Sequence, residues 1–159
     1  MTGPFTPSRP PVRDNEAVRR IGRRGVLMGV VGSLLAACGI RGRSDVAAVS
    51  AALQAAVDAV PAHIDGTVQY QDTGMAGTRI DGVMIVTGQD RDAVARDLEA
   101  LLEAVIGAYR DQPRTRTATV RMEARPAADS ALRVKTADVI DPAEGVTVTT
   151  EDLERHFER

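Results

Sequence analysis

Residues 26–37 form an uncharged apolar run that follows Arg19, Arg20, Arg23 and Arg24 and ends at Cys38, the only cysteine in the chain. This run divides the sequence in two before any secondary structure is considered. A helix of about a dozen residues reaches roughly 18 Å, short of the ~30 Å hydrocarbon core, so the run can enter a bilayer but is too short to be a permanent span. The arginines before it hold their own end on the cytoplasmic side. Whatever lies beyond Cys38 must fold without a disulfide or a cysteine-based metal site, because no second thiol exists.

Taken together, the basic segment with Arg13, the apolar run and the sequence Leu35-Ala36-Ala37-Cys38 resemble a bacterial lipoprotein signal peptide with its lipobox. The resemblance implies cleavage between Ala37 and Cys38, and a diacylglyceryl thioether on Cys38 whose acyl chains, such as palmitate, anchor the protein to membrane lipid. Arg23-Arg24-Gly25-Val26-Leu27 is similar to a twin-arginine export signal, although Gly22 and Val26 stand where Ser or Thr and Phe are usual. General secretion is the alternative route. The resemblance assigns signal recognition to Arg23, Arg24, Leu35, Ala36 and Ala37, and lipidation to Cys38. The chain then divides into a cleaved signal (residues 1–37), a lipidated tether (38–43) and a single α+β domain (44–159) on the extracytoplasmic face of the cell membrane.

Removing the six arginines and two acids that precede Cys38 leaves 122 residues with 14 basic and 20 acidic side chains, a formal charge of −6. That length suffices for one domain with its own core. The negative balance argues against nucleic acid as a partner, since phosphate contacts need a basic face. With no tryptophan and few aromatics, the core must be built from Ala, Val and Leu.

Hydrophobic periodicity predicts the elements. Val46, Val49, Leu53, Val57 and Val60 recur at steps of three and four, giving a helix over 45–60 that Pro61 ends. Alternation predicts strands over 64–71 and 78–87, a hairpin around Gly74-Met75-Ala76-Gly77. A second helix over 91–109 has Asp90 as its cap and a stripe of Val94, Leu98, Leu101, Leu102, Val105 and Tyr109. Residues 115–124 and 131–136 read as a second hairpin, 138–145 as an acidic loop, 146–148 as a short edge strand and 151–158 as a short C-terminal helix capped by Thr149 or Thr150. The order α-β-β-α-β-β predicts an antiparallel four-stranded sheet with two helices on one face.

Gly82-Val83, Val86-Thr87-Gly88 and the helix after them resemble the BON module of bacterial envelope proteins, which implies attachment to envelope or phospholipid surfaces. Candidate chemistry is sparse. His63 and His156 have no second ligand at metal spacing and read as surface histidines. Asp65 and Asp81, in the repeated tripeptides Ile64-Asp65-Gly66 and Ile80-Asp81-Gly82, are a conceivable acid and base pair, but the hairpin register opposes Asp65 to a residue near Val86, and Asp-Gly is an ordinary turn or bulge pair. Asp138, Asp141 and Glu144 lack the spacing of a calcium loop and read as a solvated loop.

No catalytic residue, cofactor or metal is therefore expected. The sequence reads as a lipid-anchored cell-envelope protein, a binding or structural module without catalysis, whose partners are membrane lipid through acylated Cys38 and an envelope protein or cell-wall component. The alternatives are an accessory lipoprotein for envelope transport or assembly, and a hydrolase using acidic residues that the motifs do not reveal.

Overall fold

The computed structural model describes residues 43–158. The segment read above as a signal, with Arg23, Arg24, Leu35, Ala36, Ala37 and Cys38, lies outside the described residues. Helix α1 (Val46–Asp58) is capped by the Asp45 carboxylate, which accepts from the Ala48 N–H at 3.1 Å, and it buries Val49, Leu53 and Val57. Strands β1 (His63–Asp72) and β2 (Thr78–Val86) pair antiparallel across a 3-10 turn at Gly74–Ala76. Gly66, at φ +120 just past the strand's bulge, sits where an added Cβ would lie 2.3 Å from the Val83 carbonyl, so the repeated Asp-Gly pair marks a close approach of backbones.

Helix α2 (Arg91–Arg110) is the longest element, at 20 residues. Asp90 accepts from the Ala93 N–H at 2.8 Å, and Asp92 and Arg110 lie at the ends where the helix dipole favours their charges. Its stripe of Val94, Leu98, Leu101, Leu102, Val105, Ile106 and Tyr109 is buried. Strand β3 (Ala118–Pro126), strand β4 (Val134–Lys135) and helices α3 (Thr136–Val139) and α4 (Thr150–Phe157) complete the chain.

The sheet is mixed, in the order β1-β2-β3-β4, which corrects the antiparallel expectation: β2 and β3 run parallel, from Thr78 opposite Ala118 to Val86 opposite Pro126. The reason is the length of α2. At ~1.5 Å per residue it covers about 30 Å, matching a nine-residue strand at ~3.3 Å per residue, so the chain is carried back to the end where β2 began. The helix arrangement also departs from two helices and a C-terminal one. Helix α1 lies beside β1 and α2, while α3 forms within the stretch expected to begin as strand and continue as loop.

Strand β4 is only two residues long, and the outer edge of β3 is finished by other means. The Thr136 hydroxyl accepts from the Met122 N–H at 2.9 Å and donates to the Met122 carbonyl at 3.0 Å. Val148 contributes its carbonyl to the Val120 N–H at 2.8 Å, and the Thr150 hydroxyl accepts from the Ala118 N–H at 3.1 Å. No strand forms at the expected 146–148; an isolated bridge joins Thr119 to Thr149 just beyond it. At the other margin the Gln54 amide of α1 accepts from the Val68 N–H and donates to the Gly66 carbonyl, standing in for a neighbouring strand. These bonds cover part of each edge and so reduce the open backbone groups that invite pairing with other chains. No described helix is long and apolar enough to cross a membrane.

A single cluster joins α1, α2 and the even-numbered positions of β1, β2 and β3, with Leu53, Ile80, Met84, Leu98, Leu101 and Met122 among its fully buried members. Leu101→Ala is expected to cost ~2–5 kcal/mol in a urea melt of residues 44–159. Thr136→Val, nearly equal in shape, leaves both Met122 backbone groups unpaired and is expected to cost about 1–3 kcal/mol.

Candidate functional site

Because, beyond the bulge at the start of β1, the even-numbered strand side chains enter the core, the odd-numbered ones from Asp65 on stand together on the opposite face of the sheet. The register sets them in rows across three strands: Gln69, Asp81 and Arg121; Thr67, Val83 and Glu123; Asp65, Ile85 and Arg125. Lys135 extends the second row beyond Glu123. Val146, Thr147 and Val148 border the face, and the groove between them and the strands has a volume of about 820 Å³. That is within the range of ~300–1,000 Å³ usual for ligand sites.

Apolar and cationic groups share this groove. Val83 is 45% exposed and Val146 is 91% exposed. Asp81 is held by Arg79 at 3.0 Å, and Glu123 lies 3.6 Å from Arg133. Arg121, Arg125 and Lys135 line the same groove, and none of them makes an ion pair with the described residues. The Nε–H of Arg125 is buried and has no acceptor among those residues. An unpaired buried donor of this kind costs about 1–3 kcal/mol.

The wall of the groove is fixed by Asp152 at the start of α4. Its carboxylate accepts from the Ala143 N–H at 3.0 Å, from the Thr149 N–H and hydroxyl at 2.9 Å each and from Arg155 at 2.9 Å. Burial alone would raise its pKa, but these donors outweigh burial and lower it to about 2. The Ala143 bond ties the loop before Val146 to the helix.

Asp65 and Asp81 both line the groove, yet they are not partners: Asp65 stands opposite Ile85, next to the expected Val86, and Asp81 opposite Gln69. His63 is not a surface histidine. Its side chain is only 7% exposed, with Nδ1 3.5 Å from Asp58 and Nε2 unpartnered among the described residues. His156 lies against Phe157, 3.7 Å from Glu99. Asp138 accepts from the Lys135 N–H at the start of α3 and pairs with Arg91, while Asp141 and Glu144 are exposed. Among the described residues no cluster of acids, histidines or cysteine has metal-binding geometry. The groove, lined by Asp65, Asp81 and Glu123 as well as Arg121, Arg125 and Lys135, was not anticipated from the sequence, although the alternation of Arg121, Glu123 and Arg125 in β3 placed them on one side.

No protein-family model, curated protein or solved structure matches the chain.

The Asp152 carboxylate gives a pH test. Its pKa is lower folded than unfolded, so its contribution to stability is present above the ordinary value of 3.8 and is lost as pH falls toward about 2. Thermal melts of residues 44–159 and of the Asp152→Asn variant are expected to converge over that interval, with the parent more stable at pH 6.

Proposed function

We propose that the protein is a lipid-anchored module of the cell envelope that holds an anionic, partly apolar partner on the open face of its sheet, without catalysing a reaction. The observation that carries this reading is the groove itself, where Arg121, Arg125 and Lys135 stand without carboxylate partners beside the exposed Val83 and Val146. Cations with apolar neighbours suit a partner that presents carboxylate or phosphate together with a hydrophobic body, and the guanidinium fork favours bidentate contact with either anion.

Cys38 supplies the address in this reading. Two acyl chains on its sulfur give stable anchoring where one gives only marginal binding, and the five residues after it keep the domain near the headgroups. Retention at the extracytoplasmic face would bring the groove to envelope components, either an envelope protein or a cell-wall polymer.

A photo-reactive amino acid placed at Val83 in the full chain tests the binding reading in intact cells. An adduct with an envelope component is expected, and its yield should fall at least roughly tenfold in the Arg121→Glu, Arg125→Glu double variant, as loss of one charge-assisted contact worth ~1.5–3 kcal/mol requires. An adduct unchanged by the double variant would remove the groove from the account. In parallel, fatty-acid label is expected on the parent chain and absent from Cys38→Ala.

A further inference from the structure

The point at which the tether joins the domain is fixed by side chains. Ser44 is buried, and its hydroxyl donates to the Asp72 carboxylate at 2.9 Å while receiving the Tyr70 hydroxyl at 2.8 Å. Arg116 pairs with the same carboxylate, whose side chain is only 2% exposed, and the Gly74 N–H approaches it at 3.4 Å. Tyr109 packs beside Tyr70, with ring centroids 5.7 Å apart, and donates to the Arg116 carbonyl at 2.7 Å. These contacts hold the beginning of the domain against the tip of the β1–β2 hairpin. The Arg43 guanidinium lies over that tip, so close that a Cβ on Gly74 would be 2.9 Å from it.

Met75 is the apex of the turn. It is fully exposed and packs against nothing in the domain, while Gly74 and Gly77 on either side take φ of 68 and 86, so the turn owes its shape to its glycines. The fold gives no reason for an apolar side chain there. The tip end carries Arg43 and, on the connection leading to Arg116, the exposed Arg114, together with the exposed Asp45 and Asp111 at the start of α1 and the end of α2.

From Arg43 to Cys38 is five residues, at most about 18 Å of chain. A strand of nine or ten residues is about 30 Å long, so the tip end of the sheet is the end the tether keeps beside the bilayer. We propose that the β1–β2 tip is a second membrane contact: Met75 enters the boundary between headgroups and acyl chains, and Arg43 and Arg114 face anionic headgroups. The proposal rests on acylation of Cys38, and the occupant is the lipid surface itself. Held by the anchor, the tip meets that surface at a high effective concentration, so one apolar side chain suffices to bias orientation. Residues along the strands, and with them the groove, would then face sideways over the membrane.

The test uses the full chain produced in bacterial cells, with Met75→Cys or Asp129→Cys labelled by an environment-sensitive fluorescent maleimide and reconstituted into vesicles containing brominated phospholipid. Acylation blocks Cys38, so only the introduced thiol takes the dye. The expected result is blue-shifted emission at position 75, quenched by the bromines, and unquenched, water-like emission at position 129. A protein that stays on the vesicles through an alkaline carbonate wash while position 75 remains water-like overturns the tip contact and leaves the anchor standing. Dye uptake by Cys38 in the unsubstituted chain, or release in the wash, overturns the anchor and the orientation derived from it.

Discussion

The domain depends on the packing of α2 across the sheet. Seven of its side chains are buried, and they meet the inward residues of β2 and β3, including Ile80, Met84, Val120 and Met122. Because α2 matches β2 in length, burying that stripe obliges β3 to run parallel to β2 and to occupy the sheet's interior. The apposition of Asp81 with Arg121, of Val83 with Glu123 and of Ile85 with Arg125 follows from this one crossover. The groove on the outer face is its by-product.

Placing β3 inside the sheet creates an edge that the chain then closes with few strand residues. Two threonine hydroxyls and the Val148 carbonyl continue what β4 begins, and Gln54 covers Val68 and Gly66 on β1. The segment that closes β3 is also the one that walls the groove, with Asp152 holding it to α4. Edge protection and site formation are therefore served by the same residues, which couples the stability of residues 136–152 to the shape of the groove.

Much of the local structure was legible in the sequence. The steps of three and four from Val94 to Tyr109 gave α2 with Asp90 as its cap, and the alternation around Val68 and Tyr70 gave β1 with the correct hairpin to β2. Pairing between distant strands was not legible, because alternation states which side of β3 is apolar and not which neighbour it takes or in which direction. The edge role of Thr136 was hidden for a similar reason: a threonine after a short apolar alternation reads as strand, and its hydroxyl bonds to Met122 exist only once β3 is in place. The groove was not legible because alternation puts Arg121 and Arg125 on one side of β3 without showing which groups stand across from them, and their lack of partners is a property of the assembled face.

The parallel alignment of β2 with β3 is the claim on which the groove and the placement of its charged residues both stand. Residues 44–159 contain no cysteine, so pairs introduced on the open face report strand alignment by disulfide formation without interference. Cα atoms bridged by a disulfide lie about 4.4–6.8 Å apart, a separation that adjacent aligned residues meet and displaced ones do not. Oxidation of an Arg79→Cys, Thr119→Cys variant is predicted to give the crosslink, whereas Arg79→Cys, Arg125→Cys remains reduced. A crosslink in the second variant and none in the first would mean that β3 runs the other way, and the groove described here would not exist.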